Sequence, residues 1–380
     1  MKIGILTQPL HTNYGGILQA YALQTYLKKL GCEVWLINRV EKVPGFLSRL
    51  FIFAKRIVKK YVLMRKNVHL IYSYEREVEI PRKIMSQNTQ LFINRYISPC
   101  TDQIHRSSDF KKLLDVSYDA FIVGSDQVWR PCYSPCLFNY FFNFLPLNFR
   151  GKRMAYAASF GVDEWELSKF QTKRCGKLLR RFDAVSVREE SGVDLCKKKF
   201  GVSVVHLLDP TMLLTPCDYL QLLSDKKNQT KKLLVYMLDM TEGKKQLIER
   251  VAVKFGLTPF YVNTKTEDAS VSLQERIAPP VENWLRGFRD ATYVVTDSFH
   301  GCVFSILFNV PFIVYGNKDR GIARFDSLLK MFCLRERMIL DIKELVEDKL
   351  DKPVDWVSVD RILNKQRELS KDFLMRNLHL

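Results

Sequence analysis

The sequence predicts an α/β protein of two Rossmann-like, doubly wound domains facing a cleft. Three observations carry that prediction. The chain has 380 residues, and at ~150 residues per domain each half is long enough to bury its own core. Its 47% hydrophobic and 26% charged residues are those of a globular protein, with no low-complexity tract or repeat. Short apolar runs alternate twice with helical spacing, which predicts parallel sheets covered by helices on both faces.

The elements follow in order. Lys2 to Thr7 reads as a strand, Gly15 to Leu30 as a helix ended by Gly31, and Glu33 to Asn38 as a second strand, a βαβ opening. Strands are expected at Ala120 to Val123, Arg153 to Ser159 and Ala184 to Val187. A second alternation runs through Leu233 to Leu238, Glu242 to Phe255, Pro259 to Val262, Val281 to Phe288, Tyr293 to Thr296, Phe299 to Phe308 and Phe312 to Tyr315. The domains are expected at 1–190 and 191–355, with a C-terminal helix in 356–380 packing back on the first. Uncharged stretches at Pro131 to Phe149 and Ser298 to Asn317 approach membrane-spanning length, but their prolines, Asn139, Asn143, His300 and Asn309 favour buried core.

Charge is the unusual quantity. The 59 Lys+Arg exceed the 41 Asp+Glu by 18, which suits an anionic partner and opens four choices: nucleic acid, a membrane surface, a small anion, or no specific anion. Nucleic acid ranks last, because no familiar reading motif is present. The apolar run after Met1 is too short for a signal-peptide core, so a cytoplasmic protein is expected. Nine scattered cysteines without a CxxC pair predict reduced thiols, and Cys132 and Cys136 lack the partners for a zinc site, so no metal is expected. Within 41–90 the cations exceed the anions by seven. There, in an insert at about 45–68, Leu47, Leu50, Ala54, Ile57, Tyr61 and Met64 recur at helical spacing among Arg49, Lys55, Arg56, Lys59, Lys60 and Arg65. Such a helix either packs its apolar stripe on the first domain or lies on anionic lipid at the inner face of the cell membrane.

Ligands of open α/β sheets bind beyond the carboxyl ends of the strands, so the loops there hold the candidate residues. The loop Gln8 to Gly16 runs into a helix, and Gly15 and Gly16 either admit an anion to the helix N-terminus or merely allow a tight turn. Neither GxGxxG nor GxxxxGK[ST] occurs, so a dinucleotide or Walker-type site is not supported. In Val123 to Pro131, Asp126, Gln127 and Trp129 suit a sugar's hydroxyls and apolar face, with Asp126 otherwise a helix N-cap. Arg188 suits a phosphate or carboxylate, or else pairs with the adjacent glutamates. His300, followed by Arg320 and Arg324, combines a proton donor with an anion clamp, or is a structural histidine.

In this order, Asn13 to Leu23, Gly124 to Trp129, Ala155 to Gly161, Ser186 to Ser191, Leu208 to Thr211 and Thr296 to Gly301 make the chain resemble the polysaccharide pyruvyl transferase family. The resemblance implies a GT-B-like fold and phosphoenolpyruvate as donor substrate, with no cofactor or metal. Its pyruvyl group would pass to two hydroxyls of a sugar in a surface or capsular polysaccharide precursor, giving a cyclic ketal and phosphate. Some members carry Arg two positions before the motif histidine, where this chain has Ser298. The expectation is therefore His300 as general acid and Asp126 as base. Arg188, Arg320, Arg324, Ser298, Gly15 and Gly16 would hold the donor on the C-terminal side. Asn13, Tyr14, Gln127 and Trp129 would hold the acceptor, a lipid-linked oligosaccharide, on the N-terminal side. The alternatives are a nucleotide-sugar glycosyltransferase of the same architecture and a non-catalytic, basic membrane-surface protein.

Overall fold

The computed structural model describes residues 1–41, 44–62, 64, 73–225, 231–262, 265–316 and 321–380. Two parallel sheets form the framework. The first has the order β2-β1-β3-β4-β5-β6, from β1 (Lys2–Leu6), β2 (Glu33–Leu36), β3 (Ala120–Val123), β4 (Lys152–Ala158), β5 (Ala184–Val187) and β6 (Val205–His206). The second has the order β11-β10-β9-β7-β8, from β7 (Lys232–Tyr236), β8 (Thr258–Tyr261), β9 (Tyr293–Thr296), β10 (Phe312–Tyr315) and β11 (Met338–Ile339). Central strands such as β3 and β9 are buried along their whole length, as helices on both faces require.

The helices of the first part are α1 (Tyr14–Lys29), α2 (Phe46–Ile57), α3 (Ile80–Met85), α4 (Gln87–Tyr96), α5 (Lys169–Leu179), α6 (Glu190–Leu195) and α7 (Pro216–Leu220). Those of the second are α8 (Glu242–Phe255), α9 (Val281–Asp290), α10 (Phe299–Leu307), α11 (Ala323–Met331), α12 (Glu347–Asp351) and α13 (Trp356–Leu378). One difference from the sequence reading concerns the boundary. Strand β6 lies beyond residue 190 yet pairs Ser186 with Val205 and Val187 with His206 in the first sheet. Two residues are too short for a periodicity signal, so only the backbone pairing reveals the strand.

The two uncharged stretches are core. Helix α10 is buried on every side, as a helix apolar all round must be, and β10 follows it into the sheet. In the other stretch, Tyr140, Phe141 and Phe142 pack with Trp129 and Phe121 under the first sheet. A single apolar cluster joins the two parts: Ile17 and Leu18 of α1, Trp284 of α9, Phe304 of α10 and Leu374 of α13 all belong to it. Across this junction Arg367 of α13 donates to the carbonyls of Met212 (2.7 Å) and Leu214 (2.6 Å). The floor between the sheets is thus largely hydrophobic core, on which the polar cavity rests.

Candidate functional site

Each sheet reverses strand order once, between β1 and β3 and between β7 and β9. A crevice is expected outside the strand ends at both points. The loops leaving these four strands line one shared cavity of about 350 Å³, within the range of small-molecule sites. Gln8, His11, Asn13, Tyr14 and Gly16 come from the β1 loop, and Asp126 and Gln127 from the β3 loop. Opposite them stand Met237 and Leu238 after β7, Ser298, Phe299 and His300 after β9, and Arg324 at the start of α11.

Local sequence explains how these groups are held. Asn13 caps α1 through its side-chain oxygen, which accepts the Gly16 N–H at 3.2 Å. Ser298 does the same for α10 at Gly301, 3.4 Å away. Two helix N-termini, each favouring negative charge, therefore border one cavity. Gly15 is required for a different reason from the tight turn considered above. A Cβ built there would lie 2.0 Å from His300 Nδ1, so the missing side chain is what admits the imidazole. Asp126 takes a left-handed backbone (φ 64°), which Asp tolerates better than most residues.

Behind the cavity is a buried charge network. The Arg188 guanidinium, 1% exposed, donates to Asp209 Oδ2 at 2.8 Å and to Asp126 Oδ1 at 3.2 Å. Asp209 also accepts the Thr211 N–H (3.0 Å) and hydroxyl (2.7 Å) on its other oxygen. His300 Nε2 lies 3.7 Å from Asp209 Oδ2, an ion-pair distance just beyond a direct hydrogen bond. Burial pushes the Asp209 carboxyl up, but His300 and Arg188 outweigh burial and hold it well below the ordinary carboxylate range. Arg324 is in the opposite situation. Burial and the neighbouring Arg188 charge push its guanidinium down to about 10. A cation so placed, facing the cavity across the Phe299 ring at 5.7 Å, would gain from an incoming anion.

Several expectations change. Arg188 is no donor clamp: its fork is held by two carboxylates, not by the adjacent glutamates, and it does not line the cavity. Trp129 is no sugar platform. It is fully buried, donates Nε1–H to the Tyr140 carbonyl at 3.0 Å and stacks on Phe141 with centroids 5.1 Å apart. The β3 loop turns the indole under the sheet, where its apolar area contributes more than it would at a wet rim. Asp126 is not a helix N-cap, since its Oδ1 accepts the N–H of the very next residue, Gln127, at 2.9 Å. Tyr14 lines the cavity, but its hydroxyl donates to the Pro279 carbonyl at 2.9 Å and so ties α1 to the loop before α9. Arg320 lies outside the described residues.

The sequence reading assigned no task to Asp209, His11, Glu41 or Glu267. Asp209 stands before Pro210 in a sequence that caps a short helical turn, a signal available but pointing only to capping. His11, Glu41 and Glu267 all line the cavity. The His11 Nδ1 accepts the Thr12 N–H at 2.8 Å, which leaves the proton of the neutral ring on Nε2. Burial, then the Arg82 charge, pushes the His11 imidazole down and keeps it neutral, a hydrogen-bond donor suited to a hydroxyl. Buried Thr89 of α4 holds the loop by donating its hydroxyl to the His11 carbonyl. No local pattern brings residues 11, 41 and 267 together.

The arrangement unites in one cavity a histidine backed by a carboxylate, a buried arginine and two helix N-termini, together with carboxylate, amide and neutral imidazole groups. Comparisons with known proteins bear on the family and the fold. Residues 13–319 match the family model described as polysaccharide pyruvyl transferase. No curated protein matches the sequence. Among solved structures, Arabidopsis thaliana UGT89C1 complexed with UDP has a TM-score of 0.50 at 10% identity, covering 100% of this chain and 100% of that one. The UDP-GlcNAc 2-epimerase of Neisseria meningitidis bound to UDP-GlcNAc has a TM-score of 0.48 at 11% identity, covering 99% of this chain and 100% of that one. At such identities the likeness is one of fold: the two facing α/β units are GT-B-like.

Proposed function

Because this chain belongs to the polysaccharide pyruvyl transferase family, we propose that its cavity takes phosphoenolpyruvate and passes the pyruvyl group to two hydroxyls of one sugar. The product is a cyclic ketal and inorganic phosphate, and the sugar belongs to a lipid-linked precursor of a surface polysaccharide. The observation that supports this reading best is that His300, with Asp209 behind it, lines the same cavity as Arg324. A compact dianion needs fixed cations and helix N-termini, and an enol ether needs an acid.

In this mechanism Arg324 and the N-termini of α1 and α10 hold the carboxylate and phosphate. Asp209 faces the Nε2 edge of His300 and steadies its ring, and His300 gives up a proton as the general acid. That proton goes to the methylene carbon of the donor. The adjacent carbon becomes an oxocarbenium-like centre, and a sugar hydroxyl adds to it while Asp126 accepts the hydroxyl proton. The second hydroxyl then displaces phosphate and gives its proton to His300, which closes the ketal and restores the acid. Arg188 acts only through the two carboxylates that it holds. His11, Gln127, Glu41 and Glu267 are the groups that would position a polyhydroxyl acceptor.

The test offers phosphoenolpyruvate with a panel of defined glycosides, followed by mass spectrometry for a pyruvate ketal and by phosphate release. We expect a ketal product with at least one glycoside, and a His300→Ala protein slower by roughly 10²–10⁴-fold, the usual worth of a general acid. Binding of a nucleotide-diphosphate sugar with no response to phosphoenolpyruvate would overturn the reading in favour of glycosyl transfer.

A further inference from the structure

We propose that α2 and the π-helical turn that continues it, Val58–Val62, form a membrane-docking element that seats the protein on an anionic bilayer. The helix presents its apolar side outward. Leu50, Phe53 and Ile57 of α2 fall in one stripe at 100° per residue, with Phe51 along its edge, and Val58, Tyr61 and Val62 follow in the π-helical turn Val58–Val62; all seven are exposed. Tyr61 is 62% and Val62 68% exposed. A surface helix of a soluble protein turns such a stripe to the core. Here the less exposed positions are Ile52, Arg56 and Lys60, and the tie to the body is polar: the Arg56 guanidinium holds the Glu77 carboxylate. The expectation of a helix packed by its apolar face with a solvated basic side is therefore reversed among the described residues. The Leu47 side chain and Arg65 lie outside them.

Charge decides what covers this face. Arg49, Lys55 and Lys59 are exposed around the stripe, the Lys55 Nζ lies 4.6 Å from the Phe51 ring and the Lys60 Nζ lies 5.9 Å from that of Tyr61. Lysines flanking aromatic and aliphatic groups can put their stems on hydrocarbon and their heads among lipid phosphates. A second copy would bring the same excess of seven cations in residues 41–90 against itself. No described helix is long and apolar enough to cross a membrane, so the element lies on the surface. It also leads to the cavity. Glu77 precedes α3, whose Arg82 holds Glu41, and Glu41 lines the cavity. A lipid-carried acceptor would thus meet the site close to the bilayer, a consequence that rests on the proposed function, whereas the docking itself does not.

The test is sedimentation of the full chain, without substrate, with vesicles of phosphatidylcholine alone or with one-third phosphatidylglycerol. We expect binding to the anionic vesicles, strengthened about fivefold by each engaged cation. Phe51→Ser with Tyr61→Ser should weaken binding at least tenfold on both vesicle types. Lys55→Glu with Lys59→Glu should weaken it on the anionic vesicles alone. Both variants should melt at the wild-type temperature, since the positions are exposed. Failure to sediment with anionic vesicles overturns the proposal. So does sedimentation that the Phe51 and Tyr61 substitutions leave unchanged, which would be plain adsorption of a basic protein, and so does a concentration-dependent oligomer that those substitutions dissolve. Ketal formation in the same preparation is an independent readout, so the two proposals fail separately.

Discussion

Asp209 is the residue on which the site turns. Its two oxygens serve four groups, Arg188, Ser125, the Thr211 amide and the Thr211 hydroxyl, and one of them also faces His300. The folded carboxyl titrates below its unfolded counterpart near about 4. Between those two values the unfolded chain binds the extra proton, so the stabilisation is complete above about pH 4 and is lost as pH falls further. We expect Asp209→Asn to flatten the acid limb of the melting-temperature profile below about pH 4, measured by circular dichroism. In activity assays its turnover should fall, because the carboxylate that faces His300 is gone. A merely structural Asp209 would change the melting profile and leave turnover of the folded protein unchanged.

At the scale of elements, the start of α1 and the start of α10 fit each other. The asparagine cap positions Gly15 against the ring of His300, and a serine cap holds the helix that carries that ring. Gly15→Ala would place a methyl group where the Nδ1 atom now sits, and the imidazole must move by something like 1 Å. We expect turnover to fall about 10²-fold, the cost of misplacing a catalytic group by that distance, with little change in the far-ultraviolet spectrum. The motif around residues 13–16 was legible as a helix start. Its partner, nearly three hundred positions away, was not, because a sequence records the absence of a side chain without recording what fills the space.

Across the whole molecule, α13 and the continuous core fix the two sheets around the cavity. Removing the Arg367 side chain leaves the carbonyls of Met212 and Leu214 without their donor. We expect Arg367→Ala to destabilise the protein by about 1–2 kcal/mol and to lower its melting midpoint by a few degrees in calorimetry. What the sequence determined by itself is what local physics determines. Residues 2–6, 120–123 and 293–296 are strands because their apolar runs are short, bounded and buried on both faces. Asn13 and Ser298 cap helices because their side chains reach the next turn. The loops that line the cavity follow from the rule for parallel sheets. The tertiary structure decided which charged groups neutralise one another, turning Arg188 from a ligand for substrate into a ligand for Asp126 and Asp209. It sent Trp129 inward and brought His11, Glu41 and Glu267 to one wall. It also left the apolar side of α2 facing out. The physical reason is common to all four. Periodicity tells which side of an element is apolar or charged, but only packing tells what that side meets.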